Sequence, residues 1–506
     1  MKQKRILDSV HGNIYISENY FKLLIDTPEF QRLRRIEQTS IRSIFPCARH
    51  DRFIHSIGVY HIGRLFTNQL HADAILYEWY GLTETKYRQI IESYHIACLL
   101  HDIAHAPFSH TFESYYGRIT GLKEQLKKSF GGIFPISADD FDYEANFHEY
   151  ASAILVLQKF REQIKELGAD EELIVRMIIG CTFKIDQEPL TQIKNCFINL
   201  LNGGIVDADR LDYACRDVWA SGYSASKIDV SRLISGLHIA KNDQEKFEIC
   251  YSNNIVNEIK SVIDIKDFQT KYVIHHHTVV YEQQLLIRAA EYMALELVPE
   301  NEYKDYDDND KGNIALQYII SLASVINSAD FSRPILKNAI GISYITDDDL
   351  VFLMKHTENN IWYKEWESRQ YKRFALWKTP SEFYYHYPTV VNKTIRKKYT
   401  DCKKLLEEAL VEEFGSNAIV LQEKYKPRLS MKKLKVLIDT KVLDYDTINT
   451  DDKVDIDATE MPFFYVYIPY TDQSKDKIKP EIIKKLEPVI LSMYEEDNNA
   501  PEKKEE

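Results

Sequence analysis

The chain has 506 residues, enough for two or more domains with substantial cores, and a formal net charge of −13. That acidic balance argues against a protein that coats nucleic acid by bulk charge, and nucleic acid is not an expected partner. Seven cysteines, at 47, 98, 181, 196, 215, 250 and 402, form no CxxC pair, which excludes a zinc ribbon and argues for reduced thiols over a disulfide framework. No apolar run is long enough to span a bilayer, and MKQKRILDSVHG enters charged sequence without a signal-peptide core. The expectation is a soluble cytoplasmic protein with no membrane partner.

Glycine and proline are sparse, at 17 and 15, and helical periodicity dominates the first two thirds. After Arg52, the residues His55, Val59, Ile62 and Phe66 fall on one stripe, and from Ile91 the stripe Ile91, Tyr94, Cys98, His101 and His105 does the same. The stretch 119–147 breaks periodicity and reads as a long loop. Helices are expected near 149–167 and 171–181. From Ile205, the residues Asp209, Tyr213 and Asp217 stack at i+4 steps, and further helices are expected near 254–300 and 313–327. Segment 301–312 reads as a surface connection, and the acidic runs Asp307–Asp310 and Asp347–Asp349 as solvated loops. The last third changes character: a helix at 396–414 precedes NAIVLQ, LKVLI and FFYVYIP, which read as strands, and a helix at 478–493. Pro462 and Pro469 bracket FFYVYI, which suits an edge strand. The predicted fold is mainly α: a helical core over 1–345, a helical and loop connection over 346–394, an α+β subdomain over 395–495 and a disordered polar tail over 496–506.

The chemistry concentrates on His101-Asp102 in LLHDIAHAPFSH. A lone His-Asp pair is more commonly a buried hydrogen bond. Adding His55 in RFIHSIGV and Asp209 in GGIVDADRLDYACRD gives two imidazoles and two carboxylates, a nitrogen and oxygen set suited to a hydrolytic metal centre. His101 and His105 lie one helical turn apart, so both are expected to face one cavity. His95 and His275–His277 read as packing or surface residues.

In order and context these residues resemble the HD-domain metal-dependent phosphohydrolases, and more closely their deoxynucleoside triphosphate triphosphohydrolase branch. The strings DSVHGNIYI, IDTPEFQRLRRIEQ, FPCARHDRFIHSIGVYHIG, HDIAHAPFSHTFE, FHEYAS and VDADRLDYACRD carry the resemblance, which covers roughly residues 4–300. It implies that His55, His101, Asp102 and Asp209 bind a divalent ion: manganese, magnesium or iron. It implies proton transfer by His148, phosphate contacts by His105 and His110, and orientation of His148 by Glu113. Arg52 and Arg210 match phosphate-binding positions, although the family often has lysine at the latter. Gln38, Tyr213, Asp217 and Tyr281 match sugar contacts; taken alone, Tyr281 reads equally as a core aromatic. Asp26, Gln31 and Arg34 match a trio that holds an activating guanine nucleotide between subunits, which implies a homo-oligomer, dimer or tetramer. By itself Asp26 reads as a helix N-cap.

The chain departs from the family pattern in three places. The spacing between Glu113 and His148 is longer, Val273 stands where relatives often carry a phosphate-binding arginine, with Lys271 two residues away, and the C-terminal subdomain differs. The implied activity is hydrolysis of a deoxynucleoside triphosphate to deoxynucleoside and inorganic triphosphate, for nucleotide-pool control or phage defence. The competing readings are another HD phosphohydrolase, a nucleotidase or phosphodiesterase, and a catalytically idle nucleotide sensor. The absence of a GYP tripeptide after the His-Asp pair disfavours the cyclic-dinucleotide branch, and retention of all four ligands disfavours the sensor.

Overall fold

The structure, a computed structural model, describes residues 2–116, 121–141, 143–184, 187–223, 228–327, 342–391, 393–395, 399–424, 431, 434–448, 462–471 and 473–496. The chain divides into two compact units, one of residues 1–269, 287–360 and 429–454, the other of residues 270–286, 361–428 and 455–506. It is mainly helical, with a smaller α+β region in its C-terminal part.

The first unit opens with an antiparallel hairpin, Gln3–Asp8 on Gly12–Ser17. Its central element is the helix Arg52–Leu76, started by the Asp51 side chain accepting from the Ile54 amide at 2.9 Å. This helix packs on Glu84–Leu100 and on Ala208–Ser221. Two glycines permit the close approach. A Cβ at Gly63 would stand 2.8 Å from Cys98 Sγ on the first neighbour, and one at Gly58 would stand 1.9 Å from Asp212 Oδ1 on the second. Glu171–Ile179 and Pro189–Leu201 pack on Glu84–Leu100, and Phe147–Lys159 packs on Glu171–Ile179, with Ile96, Leu100, Ile154, Ile174 and Phe197 fully buried. A four-stranded sheet runs in the order Leu237–Lys241, Phe247–Ser252, Lys435–Ile438, Lys441–Asp444, with the middle pair parallel.

In the second unit the strand Pro462–Pro469 lies between Arg373–Ala375 and Ile419–Lys424, antiparallel to both. The helices Tyr399–Phe414 and Lys475–Leu491 contribute to its core, with Trp377, Phe383, Phe463 and Leu486 fully buried.

Several expectations need correction. Pro462–Pro469 is a central strand, because its prolines sit at the ladder ends, opposite Lys424 and Arg373, where a missing N–H costs little. The stretch 119–147 contains a helix, Leu122–Ile133, that buries Leu122, Leu126 and Phe130 at four-residue steps. Both acidic runs head helices, Asp308–Leu322 and Asp347–His356, where the N-terminal dipole favours carboxylates. Strand Lys435–Ile438 of LKVLI belongs to the first unit, where it pairs with Tyr251 and Ser252. The helical stretch expected near 254–300 consists of Val256–Phe268 and His277–Leu297, separated by a π-helical turn. Unit limits fall at 269, 286, 360, 428 and 454 and not at 345 and 395, because the chain leaves and re-enters each unit. Of the expected tail, Glu496 pairs with Lys393, and 497–506 lies outside the described residues.

Candidate active site

Three chain segments converge in the first unit. His55 comes from the first turn of Arg52–Leu76, His101 caps the end of Glu84–Leu100, and Asp209 stands in the first turn of Ala208–Ser221, whose N-cap Asp207 accepts from the Arg210 amide at 2.7 Å. The Nε2 atoms of His55 and His101 lie 2.9 and 3.6 Å from Asp209 Oδ1, and 3.6 and 3.5 Å from Asp102 Oδ2. Ligand atoms of His55, His101 and Asp209 all fall within 4.8 Å of one another.

The far nitrogens of both rings are occupied. His55 Nδ1 is 2.7 Å from Asp212 Oδ2, and His101 Nδ1 is 3.0 Å from the Cys98 carbonyl. Each bond fixes the tautomer that leaves Nε2 as the electron-pair donor. Both Nε2 atoms are buried and, among the described residues, have no hydrogen-bond partner of acceptable geometry. Buried polar atoms are rarely left so, and this set of two imidazoles with flanking carboxylates fits a divalent cation. Without one, burial pulls the His55 pKa down, but the Asp209 and Asp212 carboxylates carry it up to about 9. Burial pushes Asp209 up, and the neighbouring His101 and His55 more than reverse it, holding the carboxylate ionised.

Asp212 was not singled out from the sequence. Its Oδ1 meets His11 Nε2 at 2.6 Å, and Arg216 donates to both its oxygens at 2.9 Å and to Asp8 Oδ2 at 2.8 Å. Asp8, His11, Asp212 and Arg216 all lie inside DSVHG and VDADRLDYACRD; the i+4 spacing of Asp212 and Arg216 was the available signal.

A second group adjoins the first. The helix Glu84–Leu100 ends before His105, so His101 and His105 do not share a helical face; the chain turns between them and His105 joins His110 and His148 instead. His148 stands in the first turn of Phe147–Lys159, behind an Asn146–Glu149 capping box. Glu113 accepts from both flanking rings, with 2.6 Å to His148 Nδ1 and 2.6 Å to His110 Nδ1. Burial opposes the charged His148, yet Glu113 and then Asp102 raise it to about 9. His148 Nε2 faces the first group, 3.8 Å from Asp102 Oδ1. His105 stacks on His148, with ring centroids 4.3 Å apart, is fully buried, and has no partner for either nitrogen among the described residues. Burial, then the nearby Arg52, holds it neutral.

The remaining candidates are differently placed. Arg52 is buried and donates to Asp102 Oδ2 at 2.5 Å, to Ser109 Oγ at 2.9 Å and to the Gln38 carbonyl at 3.3 Å. Gln38 is itself buried, with its Oε1 unpartnered among the described residues. Arg210 turns to the carbonyls of Gly204 and Ile205 and to Asp207, with Tyr213 beside it. Asp217 meets His50 Nε2 at 2.8 Å. Tyr281 belongs to the second unit, where its hydroxyl donates to Glu365 at 2.5 Å. In the activator trio, Asp26 lies 3.6 Å from Lys4, and Gln31 accepts from Arg34, whose guanidinium covers the Phe53 ring. The N-cap of Pro28–Gln31 is Thr27, not Asp26.

Comparison with known proteins agrees with this geometry. The HD domain family matches residues 52–213, a span containing all four proposed ligands. An uncharacterized protein of Mycoplasma genitalium, MG461, is 28% identical over 267 residues, 52% of this chain and 54% of its own. A Dictyostelium discoideum protein named deoxynucleoside triphosphate triphosphohydrolase SAMHD1 homolog is 28% identical over 275 residues, 54% of this chain and 45% of its own. The chain thus spans about half the length of these curated relatives. The fold is shared with a crystal structure of a hypothetical protein from Aquifex aeolicus, at TM-score 0.55 and 18% identity over 96% of this chain and 100% of that one. Residues 52–213 therefore match the HD domain family, and the chain is similar over about half its length to a protein named as a deoxynucleoside triphosphate triphosphohydrolase homolog.

Proposed function

We propose that this protein is a metal-dependent phosphohydrolase that cleaves deoxynucleoside triphosphates to deoxynucleoside and inorganic triphosphate. The observation that carries the reading is the adjacency of two groups: Nε2 atoms of His55 and His101 without a partner among the described residues, and a Glu113-held His148 facing them.

His55, His101, Asp102 and Asp209 would hold a divalent ion, which would supply Lewis-acid polarisation of the phosphate and of the attacking water. The protein's own groups account for the rest. Water oxygen bonds to the α-phosphorus, the bond from phosphorus to the 5′ oxygen breaks, that oxygen takes a proton, and the proton released by the water restores the donor. His148 is the donor: Glu113 occupies its Nδ1, so the proton it can give is on Nε2. The neutral His105 ring offers a hydrogen bond to a phosphate oxygen, which answers its unpartnered nitrogens. Activation by a second nucleotide at Asp26, Gln31 and Arg34, within a homo-oligomer, belongs to the same reading.

Engagement of Arg210 with loop carbonyls, together with Val273 in place of an arginine, favours a second reading: an HD nucleotidase acting on a shorter phosphate chain. A screen of single and mixed ribo- and deoxynucleoside triphosphates, and of monophosphates, separates the two when manganese, magnesium and iron are each supplied. Chelator-sensitive hydrolysis of deoxynucleoside triphosphates supports the first. Turnover of monophosphates alone overturns it. Activity only in nucleotide mixtures supports the activator site.

A further inference from the structure

The turn between His105 and His110 is strained, with Phe108 and Ser109 both at positive φ, 52° and 50°, a region that costs energy for side chains with a Cβ. Such a turn persists only where its surroundings hold it. Two residues from far along the chain do so. The buried Asp347 accepts from the Phe108 amide through Oδ1 at 2.6 Å and from the Glu37 amide through Oδ2 at 2.8 Å. Two residues earlier, the Ile345 carbonyl accepts from Arg32 Nε at 2.9 Å, and the same guanidinium donates to the His105 carbonyl at 2.7 Å. The segment Ile345–Asp347 thus ties both ends of the turn.

The tie continues to the metal side. The Glu37 carbonyl accepts from Ser109 Oγ, Ser109 Oγ accepts from Arg52 Nε, and Arg52 Nη1 holds Asp102 Oδ2. We infer that Asp347, outside the matched HD span, is a positioning residue for the active site: its carboxylate fastens the Phe108–Ser109 turn and, through Ser109 and Arg52, sets the orientation of Asp102. A carboxylate is required because two backbone N–H groups are met at once. An asparagine would offer one oxygen and would turn its NH2 against the second donor.

The inference rests on the proposed phosphohydrolase reading, but its test does not depend on turnover alone. Asp347→Asn is compared with Asp349→Ala, which removes the capping bonds to the Thr346 amide and hydroxyl at the start of the same helix and leaves the Asp347 bonds in place. Each variant is measured for Tm, for affinity toward Mn2+ alone by electron paramagnetic resonance titration, and for kcat and KM. Asp347→Asn is expected to weaken Mn2+ binding about 10-fold and to lower kcat on the order of 10²-fold with KM little changed. Asp349→Ala is expected to lower Tm while Mn2+ affinity and kcat stay at wild-type values. Wild-type Mn2+ affinity in Asp347→Asn, or equal losses in both variants, overturns the inference. If the wild type hydrolyses no nucleotide but Asp347→Asn still weakens Mn2+ binding, the positioning role stands and the functional reading falls.

Discussion

The group of His55, His101 and Asp209 and the group of His105, His110 and His148 are built from nearly the same side chains, and they differ in what the inner nitrogens face. In the first, Asp212 and the Cys98 carbonyl take Nδ1, and both Nε2 atoms face the Asp102 and Asp209 carboxylates. In the second, one carboxylate, Glu113, is shared by two rings and favours the imidazolium of His148. A histidine's chemistry is therefore set by the surroundings of both nitrogens: the first arrangement gathers carboxylates around a position suited to a cation, the second leaves a Glu113-held ring as a proton donor.

The largest expected effect comes from emptying the first group. His101→Ala or Asp209→Ala should abolish metal uptake, read by elemental analysis, and lower hydrolysis by roughly 10³-fold or more, since a bound ion contributes several kcal/mol. His148→Ala should act on the second group alone, with kcat falling about 10²- to 10⁴-fold and metal content unchanged. Loss of metal in that variant would mean that the two groups are one site. Asp212→Asn tests the support beneath the first group. Metal affinity should fall roughly 10- to 100-fold by titration calorimetry while the His148 half is untouched. Gly58→Ala presses on the same carboxylate from the opposite helix and should cost about 1–3 kcal/mol in denaturant unfolding, because its Cβ overlaps Asp212. The smallest effect is expected for Tyr281→Phe, about 1 kcal/mol of stability for a hydroxyl bonded to Glu365, which keeps Arg373 at 3.0 Å.

The sequence made the first group readable because its ligands sit inside short, distinctive strings, and helical periodicity placed His55 and Asp209 on separate helices. What it hid were long-range ties. His11 and Asp212 are 201 residues apart and Phe108 and Asp347 are 239 apart, and a carboxylate accepting backbone amides leaves no trace in the spacing of either partner. Asp347 was read as solvated because it opens an acidic run. The helix dipole explains the run, while burial of its first member follows from the turn it holds. The helix Leu122–Ile133 was missed because its three core residues are spaced by four among lysines and glycines, a stripe narrower than a usual amphipathic face.

The most direct test of the central claim is phosphorus NMR of the products formed from a deoxynucleoside triphosphate in 18O-labelled water with Mn2+. The account predicts inorganic triphosphate and deoxynucleoside in equal amounts, with the label on the former α-phosphate and no reaction after chelation. Orthophosphate or a nucleoside monophosphate as the first product, or label in the deoxynucleoside, would contradict it.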